Sequence, residues 1–288
     1  MKYDCYVQRA ADCLSPQIQR LTQELRGIRS DTPVESVHQA RVASRRLLVI
    51  LRFFRDMYPR SHIKQWQKSL RKMARKLGRA RDLDVQREIL ESWAAAPVRG
   101  QGFAMHAVAA QWAAARQKKT PKLGRAVREF RQAKTLRRME SALAEAGKEG
   151  AYGKKHFHRR AVKKLAQCLS RVRQTSLPAD DTALLHHLRS GFRKLRYTLE
   201  ICRPLDPGPI DTLIEQTHQF QDVLGQLHDV DMLKSRLSTR GKVKAVTADT
   251  RQYLLQRSEQ EHRRLYRKFE RLWREWEKRD IERRGMML

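Results

Sequence analysis

Val37-His38-Gln39-Ala40-Arg41-Val42-Ala43-Ser44-Arg45-Arg46-Leu47 returns later in the chain as Leu185-His186-His187-Leu188-Arg189-Ser190-Gly191-Phe192-Arg193-Lys194-Leu195. The copies are 186 − 38 = 148 residues apart. On a helical wheel at ~100° per residue, His38, Arg41, Arg45, Val49 and Arg52 fall within about 80° of one another. Ala40, Ala43, Leu47, Ile50, Leu51 and Phe54 take the opposite side. The stretch is an amphipathic helix with a cationic face and an apolar face. Its copy repeats the pattern: His186, Arg189, Arg193 and Tyr197 share one face, opposite Leu188, Leu195 and Leu199. Lys194 and Arg196 flank the second stripe, and Arg46 flanks the first.

A second pair of motifs follows in the same order. Leu77-Gly78-Arg79-Ala80-Arg81-Asp82-Leu83-Asp84-Val85 matches Leu224-Gly225-Gln226-Leu227-His228-Asp229-Val230-Asp231-Met232, at 225 − 78 = 147 residues. Two ordered motifs at nearly one offset predict a duplicated helical unit, with repeats over residues 1–146 and 147–288 of a single domain. The natural packing is a pseudo-twofold pair of four-helix bundles with a basic groove or pore between them. Ala142–Gly153 is the candidate boundary between the halves.

Helix punctuation fills in the rest. Thr32-Pro33-Val34-Glu35 reads as a capping box with proline at the first helical position, opening a helix that runs to about Tyr58. Ser61 is placed to cap the next helix, which Gly78 is expected to end. Asp181 is placed to cap a helix ending near Arg203-Pro204, and Asp206-Pro207 to start one that stops at Gly225. Gly102–Arg116, Lys122–Ala146, Lys154–Gln174 and Ala245–Arg279 also read as helices, and no alternating strand pattern occurs. The fold expected is all-α.

Composition narrows the function. Lys and Arg number 62 against 31 Asp and Glu, a net charge of +31 that points to an anionic partner. A hydrophobic fraction of 40% is enough to bury a core, which excludes a disordered chain. Mean hydropathy is −0.73, and no apolar run approaches the ~18 residues of a membrane span. Met1-Lys2-Tyr3-Asp4-Cys5 has no secretory pattern, so a soluble cytoplasmic protein is expected. Cys5, Cys13, Cys168 and Cys202 form no CxxC pair, and we expect reduced cysteines, with Cys168 and Cys202 in the core, and no metal or cofactor.

The cationic faces lack the interspersed acids that solvated helices carry for i,i+4 pairing. Like charges clustered without partners favour an anion between them. Lys64, Lys68, Arg71, Lys72, Arg75 and Arg79 extend the basic surface along the following helix, whereas its copy carries Asp211, Glu215, His218 and Asp222. Other basic clusters, at 125–138, 154–164 and 263–279, read as solvated faces. Trp66, Trp93, Trp112, Trp273 and Trp276 read as packing residues.

At these two motif pairs the chain resembles the CHAD family, the conserved histidine α-helical domain, over nearly its whole length. The resemblance implies two pseudo-symmetric four-helix bundles and non-catalytic binding of inorganic polyphosphate on a basic central surface, with location at polyphosphate granules. Carried over by motif, the binding positions are His38, Arg41, Arg45, Arg46, His186, Arg189, Arg193, Lys194, Arg196 and Tyr197. Arg52, Lys72, Arg75 and Arg79 join them from the basic stripes, with Asp82 and Asp229 in support. The first copy departs from the second at Leu48-Val49, where the second has Arg196-Tyr197.

Two other functions compete. Nonspecific nucleic-acid binding is the first, because charge alone does not separate polyanions. Against it stand an aromatic content of 7% and the lack of any zinc-finger, RNP or KH pattern. A phosphate-ester or polyphosphate enzyme is the second, built on Asp82-Leu83-Asp84 and Asp229-Val230-Asp231 as metal ligands. Each pair follows a glycine expected to end a helix, so these aspartates read instead as N-caps or as carboxylates orienting an arginine. No ExExK stretch of the triphosphate-tunnel enzymes occurs, since Glu275-Trp276-Glu277-Lys278 does not fit. We therefore expect a binding module rather than a catalyst.

Overall fold

In a computed structural model, the protein is described over residues 6–28, 33–95, 102–148, 154–173, 181–239 and 247–285. Those residues form nine α-helices and no strand: α1 (Tyr6–Gly27), α2 (Val34–Phe53), α3 (Arg60–Ala94), α4 (Gly102–Gln132), α5 (Thr135–Lys148), α6 (Lys154–Arg173), α7 (Thr182–Cys202), α8 (Pro207–Ser238) and α9 (Ala248–Gly285). Short 3-10 turns at Arg55–Met57 and Arg203–Leu205 follow α2 and α7. The all-α expectation holds.

Neighbouring helices pack as antiparallel pairs. In the first half α2 lies between α1 and α3, α4 packs along α3, and α5 returns onto α1. In the second half α7 lies between α6 and α8, and α9 packs along α8. The halves meet through α2 on α7 and α3 on α8, the helices that carry the paired motifs. One apolar core joins both halves, from Tyr6, Phe53 and Phe54 to Phe192, Phe220, Phe269 and Trp273. Phe192 and Phe220 stack at 4.2 Å between ring centroids. A second cluster, with Leu83, Trp93, Trp112, Leu233 and Leu254, closes the far ends of α3, α4, α8 and α9. All five tryptophans are buried, as expected.

Several predicted helix ends are wrong, with a common cause. Neither Gly78 nor Gly225 stops its helix: α3 and α8 run on to Ala94 and Ser238. The apolar stripe passes straight through, with Met73, Leu77, Ala80 and Leu83 buried on α3 and Val223, Leu224, Leu227 and Val230 on α8. Burial of that stripe outweighs the ~1 kcal/mol that an interior glycine costs a helix. Asp82, Asp84, Asp229 and Asp231 are consequently mid-helix residues, and the N-cap reading fails. Ser61 is not a cap either, because α3 begins at Arg60 behind Pro59. Pro33 takes the N-cap position of α2 without a side-chain cap bond, and Thr32 lies outside the described residues. The helix of α2 ends at Phe53, short of Tyr58.

The two predicted helices over 102–116 and 122–146 are divided elsewhere. Helix α4 runs through Pro121 to Gln132, and the break falls at Ala133-Lys134, where Lys134 adopts φ 50°. Asp181 caps α7 as expected, its side chain accepting from Ala183 N–H at 2.8 Å. In the candidate boundary, α5 continues through Ala142 to Lys148, and residues 149–153 lie outside the described set. Cys202 is buried while Cys168 is only half-buried, and both are free thiols, as is Cys13. Among the described residues no helix is long and apolar enough to cross a membrane.

Candidate anion-binding groove

The α2–α7 and α3–α8 contacts bring four arginines, two carboxylates and two histidines to the centre of the molecule. Arg41 and Arg45 come from α2, His186, Arg189 and Arg193 from α7, Asp82 from α3, and His228 and Asp229 from α8. Arg41 Nη2 lies 3.8 Å from Asp82 Oδ1, an ion pair without a direct hydrogen bond. Burial pulls the Arg41 and Arg189 pKa values down, and the carboxylates of Asp82 and Asp229 oppose that pull. Asp229 is itself pushed up by burial, against the two guanidinium groups. Gly78 faces this approach, and a Cβ there would meet Arg41 Nε at an ordinary contact distance of 3.6 Å. That Nε is buried without a hydrogen-bond partner among the described residues. His186 and His228 place their rings 5.3 Å apart beside the arginines. Burial lowers both pKa values, and Arg189 lowers them further; His228 falls to about 3.

Arg45 and Arg193 differ from Arg41 and Arg189 because no carboxylate offsets their burial. Arg45 is pushed down to about 8, first by burial and then by Arg41, Arg193 and Arg189. Arg193 is pushed down to about 10, by burial and then Arg189. Both still carry charge at neutral pH. They open onto a groove of about 770 Å³, whose cations include Arg52, Arg71, Arg75 and Arg79 and whose one carboxylate is Asp82. Uncompensated guanidinium groups at a concave wall are what a multiply charged anion would satisfy, through paired N–H donors.

The two Asp-x-Asp motifs divide their labour. Asp82 and Asp229 face the arginines, whereas Asp84 and Asp231 turn to the next helix. Asp84 accepts from Arg116 Nε of α4 at 3.0 Å, both side chains being buried. Asp231 pairs with His262 Nδ1 of α9 at 2.8 Å. Side chains two positions apart on a helix point in different directions, so the carboxylates of one motif do not share a ligand. No three His, Cys, Asp or Glu groups converge among the described residues.

A family model for the CHAD domain matches residues 12–238. The chain belongs to the CHAD domain family. The matched stretch takes in α2, α3, α7 and α8, the four helices of the central cluster, and ends before α9. The crystal structure of the CHAD domain from the plant Ricinus communis superposes with a TM-score of 0.71 at 19% identity, covering 90% of this chain and 87% of that one. PptA from Streptomyces chartreusis superposes with a TM-score of 0.58 at 17% identity, covering 94% and 99%. These likenesses are ones of fold. No curated protein matches the chain.

Within this CHAD fold the remaining sequence-predicted positions fall in four places. Arg52, Arg75, Arg79 and Lys194 line the groove with Arg45 and Arg193. Arg46, Arg196 and Tyr197 form a clamp between the halves: both guanidinium groups sit over the Tyr197 ring, at 5.4 and 5.1 Å. Both also pair with Glu200, at 3.3 and 3.8 Å. Tyr197 is buried beneath them. Lys72 turns to α4, where its Nζ meets Glu129 at 3.3 Å. His38 lies apart from the His186–His228 pair; burial and then Arg81 lower its pKa, with Glu35 and Glu88 nearby.

Sequence reasoning missed His228, Lys68 and Arg71 as site residues. Lys68 and Arg71 were visible as members of the α3 stripe, and they face the groove together with Arg75 and Arg79. The α8 positions that correspond to this stripe are acidic, with Asp211 and Asp222 already paired to Arg203 and His218. Of α3 and α8, it is therefore α3 that supplies a basic stripe to the groove.

Proposed function

We propose that the groove binds inorganic polyphosphate and performs no chemistry on it. The observation that carries this reading is the pair Arg45 and Arg193, half-buried on the groove wall with arginine neighbours and no carboxylate in support. Polyphosphate offers closely spaced charge without bases, so it calls for cations and not for stacking platforms. The groove wall is of that kind, with Leu48, Val49 and Ala74 between the cations and no aromatic side chain. Such a groove would hold the protein to polyphosphate granules in the cytoplasm.

The test is titration with long-chain polyphosphate and with DNA at matched phosphate and salt. Polyphosphate should bind more tightly, and affinity for it should fall linearly on a log–log plot against salt. Equal or tighter DNA binding overturns the reading in favour of a general polyanion or nucleic-acid binder.

Proton linkage gives a second check. In the free protein burial and Arg189 hold His186 and His228 neutral, and Arg45, Arg41, Arg193 and His187 add to the effect. A bound polyanion favours imidazolium and raises the pKa. Binding should take up protons and strengthen as pH falls through the window between the free and bound values. His228 starts at about 3, so His186 takes the proton first. Calorimetry in buffers of different ionisation enthalpy should show most of the uptake lost in His186→Gln and none lost in His38→Gln. Unchanged uptake in His186→Gln would mean that this ring does not titrate with the ligand.

A further inference from the structure

We infer that the groove continues into a second anion subsite on α6, so that this CHAD domain discriminates polyphosphates by length. This inference rests on the proposed function. A second groove of about 910 Å³ lies between α6, the 3-10 turn after α2 and the start of α3. It shares Val49, Arg52 and Lys194 with the first, so the two grooves adjoin at these three side chains. Its other cations are Arg55, Arg60, Lys64, Arg160, Lys164 and Arg171.

The charge balance of the annex favours an anion. Its one carboxylate, Asp56, is already taken by Arg160 Nη1 at 3.0 Å, His156 Nε2 at 2.9 Å and the Tyr6 hydroxyl at 2.9 Å. Apart from Asp56, no carboxylate among the described residues lines the groove that holds Lys164 and Arg171. At the junction the cations crowd one another: Arg52 is lowered by burial, then by Arg71 and Arg171, and Lys194 by burial, then by Arg52 and Arg171. An anion threading the junction would relieve all of them.

The path of a long chain follows. The α8 counterparts of the α3 stripe include the acids Asp211, Glu215 and Asp222, whereas towards α6 the chain meets cations and an Asp56 already paired with Arg160 and His156. From Lys64 to Arg79 the α3 wall runs about 22 Å, at ~1.5 Å per residue. Inorganic triphosphate is too short to span that wall and fits the first groove alone. A long chain occupies both.

The experiment is calorimetric titration of the full chain with sodium tripolyphosphate and with long-chain polyphosphate. The variants are Lys164→Ala/Arg171→Ala and a charge-matched control, Arg131→Ala/Arg137→Ala, on the exposed α4–α5 corner away from both grooves. The α6 variant should bind tripolyphosphate within about twofold of the wild type and lose tenfold or more for the long chain. Its salt slope for the long chain should fall by about 1.4, two contacts at ~0.7 each. The control should match the wild type for both ligands. Equal losses for both ligands, no loss for either, or an equal loss in the control overturns the annex while leaving the first groove intact. Failure of the wild type to bind either ligand overturns both proposals.

Discussion

Replacing Arg45 and Arg193 together by alanine should lower polyphosphate affinity by 10²- to 10⁴-fold and raise the melting temperature of the ligand-free protein. A hydrogen bond to a charged group contributes about 1.5–3 kcal/mol, so two lost guanidinium forks amount to about 3–6 kcal/mol. Each ~1.4 kcal/mol is tenfold in affinity. The stability gain comes from the same source as the affinity. Burial and three neighbouring arginines disfavour the Arg45 charge. At neutral pH the group is charged in the folded and the unfolded chain alike, so the folded state bears that cost and alanine removes it. Arg45→Lys keeps a charge but loses the planar fork, and should bind more weakly than the wild type and more tightly than Arg45→Ala. Scanning calorimetry with and without ligand reads both quantities. A variant that melts lower and whose folded fraction binds normally would make these arginines structural.

The motif that carries the central cluster was legible because its signal is local: His186, Arg189 and Arg193 recur at helical spacing on one face, and so do Arg41 and Arg45. The packing stripe through Leu77 and Leu83 was equally legible, but the glycine between them was given more weight than the stripe. What was not legible depends on partners distant in sequence. Asp84 and Arg116 are 32 positions apart, and nothing local to Asp82-Leu83-Asp84 distinguishes the carboxylate facing the groove from the one facing α4. Arg46 and Arg196 look like groove cations on a wheel, and only the placement of Glu200 and Tyr197 between them shows otherwise. Lys72 is one position from Arg71, and that ~100° turn carries it from the groove to Glu129. The α6 cations read as a solvated face because their neighbours Arg52 and Lys194 come from other helices.

That division within the Asp-x-Asp motif predicts opposite behaviour from two aspartates on one turn of α3. Asp84→Ala should destabilise the protein by about 3–5 kcal/mol, because it strands Arg116 as a buried, unpaired charge. The Asp84 side chain is only 2% exposed, so water cannot replace the lost carboxylate. At ~2–4 °C per kcal/mol for a chain of this size, the melting temperature should drop by about 6–20 °C. Affinity per folded molecule should not change, since Asp84 faces away from the groove. Asp82→Asn should do the reverse. Its carboxylate is 32% exposed and 3.8 Å from Arg41, an arrangement that contributes about 0–1 kcal/mol to stability. Removing the one negative charge from the groove wall should tighten polyphosphate binding a few-fold. The double replacement Asp84→Leu/Arg116→Met separates charge from packing: exchanging both partners for apolar residues should recover most of the stability that Asp84→Ala loses. If Asp84→Ala instead weakens binding at an unchanged melting temperature, the second aspartate belongs to the ligand site and the assignment of the motif is reversed.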